Sequence, residues 1–158
     1  MMLVRRLATL FVMSLIVLVA GCGDDSAAPD TQPATTSAVG SEASSRVDVI
    51  VADHAVQAPP SIGAGTVEFM VWNTGSSEHE FVVIKGSYAD LPKTTNGAVL
   101  EDQLAAGALV GRTSRITEGA SEKKSFTLVP GKYVLLCNLV VGPTSHAGIG
   151  QRFDITVL

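Results

Sequence analysis

Strict alternation of apolar and polar side chains constrains this chain most. In GTVEFMVWN, Gly65 to Asn73, residues Val67, Phe69 and Val71 fall on one face and Thr66 and Glu68 on the other. Successive side chains of a β-strand point to opposite faces, so period two marks a half-buried strand. Further strand-like runs are RVDVIVAD (Arg46 to Asp53), HEFVVIK (His79 to Lys85), SEKKSFTLV (Ser121 to Val129), KYVLLCNL (Lys132 to Leu139), whose apolar run ends at Cys137, and QRFDITVL (Gln151 to Leu158). GALVGRT, Gly107 to Thr113, adds a further candidate strand. Turn residues separate these runs, as in the Pro130-Gly131 pair. About seven to eight short strands with such punctuation predict an all-β, Greek-key β-sandwich. The exception is Gly86 to Gly107, where Val99, Leu100 and Leu104 fit the inward face of a short helix ended by Gly107.

The first 45 residues read differently. Arg5 and Arg6 precede an apolar run from Leu7 to Ala20, fourteen residues long. A membrane-spanning helix needs about 20, whereas a basic start, a short apolar middle and small residues at the end make a secretory signal. LVAGC, Leu18 to Cys22, resembles the lipobox of bacterial lipoproteins, which implies lipid modification of Cys22 as the first mature residue. The expected organisation is a signal peptide over 1–21, a lipid-anchored flexible linker over 22–45 and one domain over 46–158. The linker, rich in Ala, Ser, Thr, Pro and Asp, has one large apolar residue, Val39, and cannot bury enough surface to offset its ordering entropy. The expected location is extracytoplasmic, on the periplasmic or cell-surface side, with a lipid as the only membrane attachment.

Charge excludes one class of partner. Loss of Arg5 and Arg6 reduces 11 Lys+Arg to 9 against 15 Asp+Glu, a net charge of −6. Nucleic-acid binding needs clustered cations, and none are present.

The chain has two cysteines. With Cys22 lipidated, Cys137 has no partner in its own chain, which in an oxidising compartment points to a reactive thiol, an intermolecular bridge or a metal ligand. His146 follows Cys137 after eight intervening residues, and Gln151 comes five positions later. His79 shares strand parity with Phe81 and Val83, Cys137 with Tyr133 and Leu135, and Gln151 with Phe153, Ile155 and Val157. All can point into one end of the sandwich. A thiolate with two imidazoles is the ligand set of a trigonal copper site with a weak axial Met, Gln or carbonyl. His54, the third histidine, reads as a surface residue, and Met70 lies off the inward parity of its strand. No paired carboxylates, phosphate loop or zinc-hydrolase motif accompany these residues, and no third group stands out to orient a Cys–His pair as a nucleophile.

NTGSSEHEFVV, Asn73 to Val83, and GKYVLLCNL…SHAGIGQRFDITV, Gly131 to Val157, resemble the cupredoxins, the plastocyanin- and azurin-like blue copper proteins. The resemblance covers roughly Val47 to Leu158. It implies His79, Cys137 and His146 as equatorial ligands of one type 1 copper, with Gln151 at the place of the axial Met. Gln donates more strongly to Cu(II) and implies a lower reduction potential. The Cys-to-His gap is longer than the short one common in the family. The function implied is electron transfer, not catalysis, by a monomer serving redox partner proteins at the membrane surface. The alternatives are a copper-binding or copper-delivery lipoprotein and a metal-free interaction module on the same scaffold.

Overall fold

A computed structural model describes residues 45–158. The expected signal peptide, Cys22 and all of the expected linker except Ser45 lie outside the described residues. Among the described residues no helix is long and apolar enough to cross a membrane.

Seven strands carry the fold: β1 (Ser45–Ala52), β4 (Gly65–Asn73), β5 (Val82–Lys85), β6 (Leu109–Arg112), β7 (Ser121–Leu128), β8 (Gly131–Leu136) and β11 (Arg152–Val157). Each overlaps one of the strand-like runs. Four very short strands bring the total among the described residues to eleven: β2 (Ala55–Gln57), β3 (Ser61–Ile62), β9 (Val140–Val141) and β10 (Thr144–Ser145). At two or three residues, none of these is long enough to display a period.

The strands form a four-stranded sheet in the order β2-β1-β4-β7, a five-stranded sheet in the order β3-β11-β8-β5-β6, and a separate β9-β10 ribbon. Val47, Val49, Val51, Val67, Phe69, Val71, Phe126 and Leu128 of the first sheet pack on Phe81, Val83, Tyr133, Leu135, Ile155 and Val157 of the second. These are the inward residues of the strand-like runs, except that Phe153 is only partly buried against this core. Phe69 sits centrally, its ring 5.2 Å from that of Phe81 and 6.0 Å from that of Phe126.

β1 and β4 run parallel, with Val51 opposite Asn73. Both therefore end at the same edge of the sandwich. β8 and β11 run antiparallel, so that Leu136 lies opposite Arg152 and the connection from 137 to 151 leaves and re-enters at adjacent points.

The expected helix is replaced by two single 3-10 turns, Tyr88–Asp90 and Glu101–Gln103. The backbone at Val99 is committed elsewhere. Its N–H donates to Asn138 Oδ1 (2.8 Å) and its carbonyl accepts from Asn138 Nδ2 (3.0 Å), while Lys93 pairs with it as a β-bridge. Val99 and Leu104 still face inward as expected, onto a second apolar cluster of Val82, Ile84, Val134, Leu136 and Ala147. The five-stranded sheet is thus covered on its outer face as well. Gly107 does take a left-handed conformation, φ +76°.

Phe69 is fully buried, so Phe69→Ala should cost about 3–5 kcal/mol of unfolding free energy. Urea denaturation of residues 46–158 would measure it, and a loss below about 1 kcal/mol would contradict the central place given to this ring.

Candidate metal centre

His79, Cys137 and His146 converge at one end of the sandwich, with one donor atom of each within 4.8 Å of the others. Cys137 Sγ lies 3.4 Å from His146 Nδ1 and 3.9 Å from His79 Nδ1. The two Nδ1 atoms are 3.2 Å apart. The rings meet edge to face, with centroids 5.1 Å apart. His79 is 1% exposed, Cys137 0% and His146 8%, so only the His146 edge approaches solvent.

Each side chain is placed by backbone bonds. Cys137 immediately follows β8, and its N–H donates to the Gln151 carbonyl (3.0 Å). The His146 N–H donates to the Leu139 carbonyl (2.9 Å), and the Gln151 N–H returns to the His146 carbonyl (3.0 Å). The segment between Cys137 and Gln151 is thereby cross-tied, which offsets its length.

His79 was expected to open a strand. The strand instead begins at Val82. The Glu80 N–H points to Cys137 Sγ (3.4 Å) and the Phe81 N–H to Thr113 Oγ1 (2.9 Å), so neither enters a ladder. His79 is held by a single backbone pair with Ile116 (3.1 and 2.7 Å). Ahead of it, Asn73 organises the loop. Its Oδ1 accepts from the Gly75 N–H (2.9 Å), and its Nδ2 donates to the carbonyls of Ser77 and Ile116 (2.8 Å each).

Gln151 is 0% exposed and abuts His79. Its Nε2 lies 3.1 and 3.0 Å from the two ring nitrogens of His79. Such near-equal distances place the amide over the ring face, because an in-plane approach would collide with ring carbons. The same Nε2 donates to the Ala52 carbonyl, which leaves Oε1 buried with no hydrogen-bond partner among the described residues. A buried amide oxygen left unpaired is costly.

The electrostatics show what the pocket wants. Burial pushes the Cys137 thiol above its ordinary value, against backbone donors from Glu80 and Leu139 that favour thiolate. Burial, and then the neighbouring His79, push His146 below its ordinary value. Without a further cation the site disfavours both thiolate and imidazolium. A bound cation would compensate the thiolate and accept the lone pairs of both Nδ1 atoms and the unpaired amide oxygen. One thiolate, two imidazoles and a weak oxygen fit copper. By observation as well as chemistry, the four residues singled out in the sequence are brought together.

The sequence did not reveal three neighbours. Asp53 Oδ1 lies 3.2 Å from His79 Nε2. Glu80 is buried and paired with Arg112 (3.3 Å). Burial raises its carboxyl pKa, Arg112 opposing. Asn138 bonds both Val99 and Glu101 (2.8 Å), tying the residue after Cys137 to the 86–108 connection. Its only signal was adjacency to Cys137. His54 is exposed, as expected, and Met70 is half-buried on the face of β4 opposite to Phe69 and Val71.

Solved structures share this architecture. A dithionite-reduced auracyanin from Roseiflexus castenholzii matches with TM-score 0.53 and 21% identity, over 73% of this chain and 98% of its own. Auracyanin B matches with TM-score 0.51 and 20% identity, over 72% of this chain and 88% of its own. Rusticyanin variants match with TM-score 0.52 and 19% identity, over 72% and 77%. These proteins are cupredoxins, and residues 45–158 have the cupredoxin fold. No family model and no curated protein matches the sequence.

The two shifted groups predict the pH dependence of the metal-free domain. A lowered histidine pKa makes the folded state bind fewer protons, so its stability is lost as pH falls below the ordinary 6.5. A raised thiol pKa makes the folded state bind more, so stability is lost as pH rises above the ordinary 9.0. Thermal unfolding across pH 5–10 should show both limbs. Cys137→Ser should flatten the alkaline one and His146→Gln the acid one; unchanged limbs would contradict these assignments.

Proposed function

We propose that this protein is a type 1 copper electron carrier in which His79, Cys137, His146 and the Gln151 amide oxygen would hold the metal. The observation that carries this reading is the buried set of three donor atoms next to Gln151, whose buried amide oxygen has no hydrogen-bond partner among the described residues. The cupredoxin fold of auracyanin and rusticyanin supports it. Bound copper would supply a one-electron couple.

The chain's own residues do the rest. Cys137 gives up its thiol proton on loading, and the Glu80 N–H supports the resulting thiolate. The two sheets and the cross-tied 137–151 loop hold the donors in one arrangement, which keeps rearrangement small when an electron enters or leaves. Gln151 favours the oxidised state through its amide oxygen. His146, the most exposed of the three donors, would give a bound copper its shortest path to a partner at the surface. The ribbon and turn on either side of it carry Val140, Val141 and Ile149, which are 50%, 65% and 44% exposed. This apolar rim suits a short-lived contact with a redox partner, where water is expelled without ion pairs to slow release. Exchange of an electron, rather than turnover of a substrate, is the activity that this arrangement serves.

We also propose that a lipid on Cys22 holds the domain outside the cytoplasmic membrane, within reach of redox partners there. The LVAGC motif supports this.

Adding Cu(II) to the metal-free domain should give one equivalent of an intensely coloured thiolate complex, which Cys137→Ser abolishes. Gln151→Met should raise the reduction potential, measured by voltammetry. A folded domain that stays colourless with Cu(II) would overturn the copper reading, and an unchanged potential would remove Gln151 from the ligand set.

For the anchor, Cys22→Ser in the full chain should move the protein from the membrane to the soluble fraction. Wild-type protein already soluble, or a variant still membrane-bound, would refute it.

A further inference from the structure

We propose that Asp53 is a positioning residue for the metal centre: its carboxylate holds the His79 ring so that Nδ1 is bare and faces Cys137 and His146. The consequences for copper rest on the reading above; the contact itself does not.

A neutral imidazole carries its proton on one nitrogen, and the partner of that nitrogen decides which. The His79 Nε2–H donates to Asp53 Oδ1 at 3.2 Å. Asp53 is in turn fixed by Ser76, whose N–H donates to Oδ1 (2.9 Å) and whose hydroxyl donates to Oδ2 (2.8 Å). Both bonds aim donors at the carboxylate oxygens, so Asp53 stands toward His79 as an acceptor. With Nε2 protonated, Nδ1 keeps its lone pair, and Nδ1 is the atom that faces the other two donors.

Gly75 shows that this contact is built in. A Cβ at Gly75 would lie 2.5 Å from Asp53 Oδ1 and 2.5 Å from His79 Nε2. Any side chain there would wedge the pair apart, and only glycine lets them meet. The surrounding turn reinforces the point. The Ala52 carbonyl takes the Gln151 amide, and a Cβ at Gly150 would lie 2.7 Å from the His54 carbonyl. Ala52 at the end of β1 thus meets Gln151 and the next residue, Asp53, meets His79, so Asp53 is the one that brings a carboxylate to the centre.

A carboxylate behind a metal-bound imidazole fixes the ring and raises its donor strength, and removing such a partner costs typically 10–100-fold in metal affinity. The charge favours the oxidised ion over the reduced one. Asp53 therefore acts in the same direction as Gln151, lowering the reduction potential.

The first readout needs no copper. In the metal-free domain, ¹⁵N–¹H correlation of the imidazoles should show His79 as the Nε2–H tautomer. Asp53→Ala and Gly75→Ala should each convert it to a mixture. Asp53→Asn, which keeps an acceptor oxygen, should preserve the tautomer. With copper, Asp53→Ala should weaken Cu(II) by roughly 10–100-fold. Asp53→Asn should raise the potential by about 59 mV for each tenfold by which Cu(II) is weakened more than Cu(I). A His79 tautomer indifferent to both alanine variants, or a potential unmoved by Asp53→Asn, would overturn the proposal. If wild-type protein takes up no copper, the copper reading falls and the tautomer result alone decides the role of Asp53.

Discussion

Two imidazole nitrogens held 3.2 Å apart, with a thiol sulfur 3.4 Å from one and 3.9 Å from the other, form the contact on which the rest of this structure depends. Three donor groups share one small dry space there, and neither a thiolate nor an imidazolium is welcome in it. Such crowding persists only if the surrounding fold over-determines it. Here it is imposed from three directions. His79 arrives on a loop stitched by Asn73, while Cys137 is carried by the end of β8. His146 is returned by a segment whose ends are bonded to each other.

That support reaches into the body of the sandwich. The 86–108 connection covers the outer face of the five-stranded sheet with Val99 and Leu104. Its partner at the ligand loop is Asn138, and Asn96 Nδ2 adds a bond to the Pro143 carbonyl (3.0 Å). Gly97 and Gly148 meet so closely that a Cβ on Gly97 would lie 2.5 Å from the Gly148 Cα. A connection that looked like an interruption of the β pattern is therefore the outer brace of the loop bearing His146. The long gap between Cys137 and His146 is tolerable because the loop is bonded along its length, so that its extra residues need not bring extra freedom.

The legibility of this molecule in its sequence follows from the range of its interactions. All seven longer strands overlap readable runs, with alternation marking β1, β4, β7 and β11 and continuous apolar stretches marking β5 and β8, which are buried on both faces. Phe69, Tyr133 and Ile155 were placed inward correctly by parity alone. The ligand candidates were readable by chemistry, since a lone cysteine, one histidine and a glutamine share inward parity and a second histidine lies on the loop between cysteine and glutamine. What failed was non-local. Val99 and Leu104 have helical spacing and do face inward, but the Asn138 side chain takes the Val99 backbone from 39 positions away. Glu80 alternates toward the outside, yet Arg112, 32 residues on, makes its burial tolerable.

Asp53 was invisible for the same reason in stronger form. Nothing in VADHAV marks an aspartate that will meet a histidine 26 residues later. The meeting depends on β1 and β4 pairing in parallel, Val51 beside Asn73, with the Thr74 N–H donating to the Val51 carbonyl (2.9 Å). Parallel neighbours are joined by no tight turn that a sequence could advertise. Once that pairing forms, both strands end at the same edge, and the turn after one lies against the loop after the other. Gly75 then becomes intelligible: its missing side chain is the space through which carboxylate and imidazole touch. The donors of the centre can thus be read from strand parity, whereas the group that orients one of them is determined by a parallel strand pair and a single absent Cβ.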